Sequence, residues 1–89
     1  MKIKEGFRMR KLGREHIVVG EGLAQVNFNK MISLNSSAAF LWEQVQGKEF
    51  TVEDLADALV GEYGIDRELA LKDSASLAEA WIDAGIVEK

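Results

Sequence analysis

Cysteine is absent from this chain of 89 residues, and histidine occurs once, at His16. The first absence removes disulfides, thiolate zinc sites, iron–sulfur ligands and a cysteine nucleophile together. The second leaves imidazole-based metal centres and triads with too few members. Long apolar runs are missing as well. No stretch approaches the roughly 18 apolar residues of a spanning helix, and no apolar segment follows the lysines of Met1-Lys2-Ile3-Lys4-Glu5 as it would in a signal peptide. The expectation is a cytoplasmic protein with no membrane partner.

What is there has the balance of a folded soluble chain, with 47% hydrophobic and 29% charged residues. A chain this short is expected to form one domain over residues 1–89 and to bury only roughly 60–65% of its unfolded surface. Its charge is divided. Residues 1–34 hold seven basic and three acidic side chains, a net of +4, whereas the remainder holds four and twelve, a net of −8. The two parts are therefore suited to different partners.

Residues 6–34 read as an antiparallel meander of three strands. Phe7 and Met9 alternate with Arg8 and Arg10, the pattern of a strand with one face on a core. Gly13-Arg14-Glu15 breaks it before the β-branched run His16-Ile17-Val18-Val19. Past Gly20-Glu21-Gly22, residues 23–28 alternate again and can prolong the second strand beyond a bulge; Asn27-Phe28-Asn29-Lys30 offers a turn, and Met31-Ile32-Ser33-Leu34 a third strand.

From Asn35 the period becomes 3.6, and residues 35–89 read as a three-helix part. Asn35 or Ser36 caps a first helix with apolar positions Ala38, Leu41, Trp42 and Val45, ended by Gly47. Thr51 and Asp54 form a capping box for the second, flanked by a staple of Phe50 and Leu55. Its buried stripe is Val52, Leu55, Ala56, Leu59 and Tyr63, and Gly64-Ile65 stops it. Asp66 caps a third helix running to about Ala84, with Gly85-Ile86 as its stop. The third helix carries two apolar stripes, Ala70, Leu77, Trp81, Ala84 and Leu71, Ala75, Ala78, Ile82, wider together than one core requires. The predicted fold class is α+β, a βββααα order resembling a winged helix-turn-helix: a three-stranded antiparallel sheet followed by three helices.

Little in this pattern supports catalysis. Glu53, Asp54, Asp57 and Glu62 fall on the wet side of the second helix. His16 has no second His or Cys to share a metal, and Ser33, Ser36, Ser37, Ser74 and Ser76 lack a nucleophile-elbow context. Gly20-Glu21-Gly22 opens no helix and is no phosphate cradle. Trp42 and Trp81 sit on core stripes. Arg8, Arg10 and Lys11 invite a nucleic-acid reading, but Asp66, Glu68, Asp73, Glu79 and Asp83 against Arg67 and Lys72 give the would-be recognition helix a charge of −3. The chain is expected to be no enzyme, to need no metal or cofactor, and to bind no nucleic acid; a winged-helix DNA-binding regulator is the alternative.

Several segments then point to a family. Gly6-Phe7-Arg8-Met9-Arg10, Val26-Asn27-Phe28-Asn29-Lys30-Met31-Ile32-Ser33-Leu34-Asn35, Ala38-Ala39-Phe40-Leu41-Trp42, Thr51-Val52-Glu53-Asp54-Leu55, Asp73 and Ala84-Gly85-Ile86-Val87 resemble the coenzyme PQQ synthesis protein D family over nearly the whole chain. The most specific part is the passage from Ile32 through Asn35 into the alanine pair and Phe40-Leu41-Trp42. Family members usually carry a glycine-containing turn before the third strand, where Asn29-Lys30 stands here.

The resemblance implies a winged-helix-like recognition element for ribosomally made, modified peptides. Such a module binds the leader segment of a precursor peptide and presents it to a radical SAM or other peptide-modifying enzyme. It implies that the leader adds as a strand beside Met31, Ile32, Ser33 and Leu34, against Leu71, Ala75 and Ala78 of the third helix. Ile32, Leu34 and Leu71 are equally of the types that fill a core. An unpaired third strand also suits a monomer or a weak homodimer formed by self-pairing.

Overall fold

The computed structural model describes residues 1–20 and 31–89. Its elements are β1 (Lys2–Ile3), β2 (Phe7–Leu12), β3 (Glu15–Gly20), β4 (Met31–Leu34), α1 (Ser36–Val45), α2 (Val52–Tyr63), α3 (Arg67–Asp83) and β5 (Val87–Glu88). The α+β class and the order of three strands and three helices agree with the sequence pattern; β1 and β5 are additions to it. The expected prolongation of the second strand over 23–28 and the turn at 27–30 lie outside the described residues.

Strands β2, β3 and β4 form an antiparallel sheet in that order. Leu12 pairs with Glu15 across a two-residue hairpin. Gly13, at φ 65°, supplies the positive φ that the first position of a type II′ turn requires. Alternation then decides the faces. Val18 lies opposite both Met9 and Ile32, and His16 lies opposite Leu34, so this face carries the buried Val18 and Leu34 with half-buried Met9 and Ile32. Arg8, Arg10 and Ser33 are exposed on the other face. Ile17, opposite Arg10 and Ser33, is buried on that outer face.

The helices begin and end where local chemistry directs. Asn35 caps α1, its Oδ1 accepting the Ala38 N–H at 2.8 Å and the Ser37 hydroxyl at 3.0 Å. The capping box of α2 is complete: Asp54 N–H donates to Thr51 Oγ1 at 3.1 Å and Thr51 N–H donates to Asp54 Oδ2 at 2.9 Å. At the end of α3, Gly85 N–H donates to Ile82 O and Ile86 N–H to Trp81 O. These two bonds make a Schellman stop, with Gly85 at φ 79° as its left-handed residue. They turn the chain so that Ile86 and Val87, both buried, enter the core.

That turn prepares β5 to pair with β1, a contact the sequence pattern does not predict. Ile3 faces Val87 and Lys2 faces Glu88, and Lys4 N–H donates to Ile86 O at 3.0 Å. Met1 and Phe50 exchange two further main-chain bonds, both 2.8 Å. The core joins Ile3, Val18 and Leu34 to the inner sides of the helices. Trp42 and Trp81 meet edge to face at its centre, centroids 5.4 Å apart and planes at 85°.

Three expectations about the helices are corrected. Tyr63, expected on the buried stripe of α2, is 47% exposed and touches Phe40 edge-on. Asp66 stands at the N-cap position of α3 but makes no side-chain cap bond. Nearby, the Arg67 guanidinium pairs with Asp57 of α2. Finally, α3 buries the seam between its two apolar stripes: Ala70, Ser74, Ala78 and Trp81. Successive members of that row lie three or four residues apart, so the row tracks one side of the helix.

Candidate functional site

Among the described residues β4 has β3 on one side and no strand on the other. An edge strand exposes alternate N–H and C=O groups that a further strand can take up. Along β4, Ile32 and Leu34 point into the fold while Ser33 is exposed on the opposite face. Met31 pairs with Val19 through the backbone.

Six of the seven residues implied by the resemblance divide by burial; the side chain of the seventh, Met31, lies outside what the structure describes. Leu34 and Ala78 are core, at 7% and 2% exposure, so their side chains are closed to a partner. Ile32 and Leu71 are half-buried and pack against that core; Ser33 and Ala75 are exposed. On α3, therefore, Leu71 and Ala75 offer surface on one flank of the buried row.

The opposite flank, to which the resemblance gives no binding role, borders a cleft of about 380 Å³. Its walls come from Asn35, Ser37, Ala38 and Leu41 at the start of α1, from Leu59, Tyr63 and Ile65 at the end of α2, and from Asp73 and Leu77 of α3. The lining is mainly apolar. Asn35 directly follows Leu34, so the cleft adjoins the point where β4 ends. Leu69, 48% exposed, continues this flank one turn before Asp73. The sequence signal was an acidic residue, Asp73, set between Leu69 and Leu77 on one helical row.

Groups of catalytic type are not gathered here. His16 is half-buried on β3, opposite Lys11 and Leu34. Ser74 is fully buried and so closed to a substrate, and its hydroxyl has no hydrogen-bond partner among the described residues. Among the described residues no cluster of three His, Asp or Glu side chains is arranged to hold a metal. No helix among them is long and apolar enough to cross a membrane.

A three-stranded antiparallel sheet followed by three helices, ending in an edge strand beside an apolar cleft, defines a small α+β module of loosely winged-helix shape. The sequence model of coenzyme PQQ synthesis protein D (PqqD) matches residues 15–87, and the chain belongs to that family. No curated protein sequence matches it significantly. A solved structure described as TbiB1 in complex with the TbiA(beta) leader peptide is similar in fold, with a TM-score of 0.77 and 20% identity. The match covers 99% of this chain and 95% of that one, a span wider than the family-matched region.

Proposed function

We propose that the chain is a non-catalytic recognition element that captures the leader segment of a ribosomal precursor peptide by strand addition at β4. It then presents the peptide to a modifying enzyme of the radical SAM type. The observation that carries this reading is the edge of β4 beside an apolar cleft, in a chain of the PqqD family. Membership of that family and the leader-peptide complex of a structural neighbour support it. Met31, Ile32, Ser33 and Leu34 supply main-chain bonds, and side chains along α3 supply register. Residues 1–89 act as one domain in this role, in the cytoplasm, as a monomer or a weak dimer paired through β4.

The helix side of the groove has two possible flanks. We assign it to Asp73 and Leu77, because their cleft opens beside Asn35; Leu71 and Ala75 lie about 160° away from this flank around α3. DNA binding is not favoured, since Glu68, Asp73, Glu79 and Asp83 are exposed along α3 and Arg67 is already paired with Asp57.

Calorimetry with the leader of a precursor encoded beside the gene tests the reading. One of Ile32→Pro and Ser33→Pro removes an outward N–H and should stay folded while losing at least about tenfold in affinity; the other removes a ladder bond and destabilises the sheet. Ala75→Glu should leave the affinity unchanged. Weakened binding in Ala75→Glu would move the groove to the Leu71 flank, and full affinity in a folded proline variant would exclude strand addition at β4.

A further inference from the structure

The cleft also bears on which peptide is bound. Leu41, Leu59 and Leu77 give it apolar walls, and at about 380 Å³ it lies at the small end of pockets that enclose organic ligands. Among the described residues Asp73 is the one charged member of that lining. Among the described residues its carboxylate accepts no hydrogen bond and meets no cation. Arg67, the basic residue at the start of α3, is held by Asp57. The acceptor of Asn35 is engaged by Ala38 N–H and the Ser37 hydroxyl. The cleft therefore joins an apolar wall to one uncommitted negative charge.

That combination selects among side chains. A purely apolar group would fill the space but strip water from Asp73 without replacing it. An acidic group would meet a like charge. Lysine and arginine carry an apolar stem that packs along leucines and a cationic tip that donates to a carboxylate. Resting on the strand-addition reading above, we propose that the cleft is the specificity pocket for a lysine or arginine of the captured peptide, with Asp73 as its counter-charge. Every second residue of a strand added to β4 points to the face of Ile32 and Leu34, so the basic residue belongs to that alternate set.

Selection of random dodecapeptides by mRNA display on the intact chain, on Asp73→Asn and on Asp73→Lys tests this. Peptides enriched by the wild type should share a Lys or Arg at one aligned position. That preference should vanish with Asp73→Asn and turn to Asp or Glu with Asp73→Lys. A selected peptide resynthesised with norleucine in place of the basic residue should bind the wild type about tenfold more weakly and Asp73→Asn about equally, as expected for loss of one charge-assisted bond. Enriched peptides with no basic position, or with a basic preference that survives Asp73→Asn, would overturn the pocket assignment while leaving peptide capture intact. Failure of the wild type to enrich any peptide would overturn capture, and the pocket assignment with it.

Discussion

The two sheets of this molecule are opposites in construction. The pair β1 and β5 joins residues far apart in the chain through two-residue strands, and its Ile3 and Val87 side chains are sunk in the core. The sheet of β2, β3 and β4 is local, longer and turned half to solvent, with β4 at one edge among the described residues. The first sheet closes a core; the second offers a surface. Binding by strand addition needs such a division, because an edge that accepts a peptide must stay unpaired while something else holds the fold together.

The sharpest way to break the contrast is to attack the closing sheet. Val87→Asp places a charge where the side chain is 1% exposed, and should cost about 4 kcal/mol or more, a large share of the total for a domain of this kind. Circular dichroism should find the variant largely unfolded; a cooperative melt near that of the wild type would mean that β5 is dispensable. Thr51→Ala acts on the same end of the molecule more gently, since Thr51 follows Phe50, whose backbone is bonded to Met1 on both sides. Loss of its cap should cost about 1 kcal/mol, read as a melting temperature lower by several degrees. An unchanged melt would show that the capping box carries no net stability.

The open sheet should respond least. Leu12 at the hairpin is 62% exposed, and Leu12→Gln should shift stability by less than about 0.5 kcal/mol in urea titration. A larger loss would reveal a partner for this hairpin and blur the distinction between a closing sheet and an open one.

How far the fold was legible follows the same division. Alternation of Phe7, Arg8, Met9 and Arg10, the Thr51–Asp54 box and the Gly85 stop are local signals, and local chemistry formed what they indicate. The β1–β5 pair was not legible, because two residues cannot display a period and their partners lie at the far end of the chain. On α3 the periodicity identified apolar rows but not which row would be buried. Ser74, a polar residue, sits fully inside between two alanines, and a hydrophobicity count places it outside. Small size, which lets neighbouring elements approach, outweighed the hydroxyl there.

The candidate site was half readable. Residues 31–34 follow from the meander and the family resemblance, and among the described residues the strand order puts them at an edge. The cleft was hidden because its walls come from three helices at separations that no single helical wheel displays. In the sequence Asp73 is part of a family pattern and an acidic charge against nucleic acid; only the fold gives it an apolar setting.

The aromatic residues divide the molecule optically as well. Both tryptophans are locked in the core against each other, and the chain's one tyrosine, Tyr63, borders the cleft. Excitation of the indoles therefore reports whether the centre is packed and should stay nearly silent when the cleft fills. Tyr63, 47% exposed in the cleft wall, provides a second channel, one that a bound peptide should perturb. One unlabelled sample thus carries separate signals for folding and for occupancy.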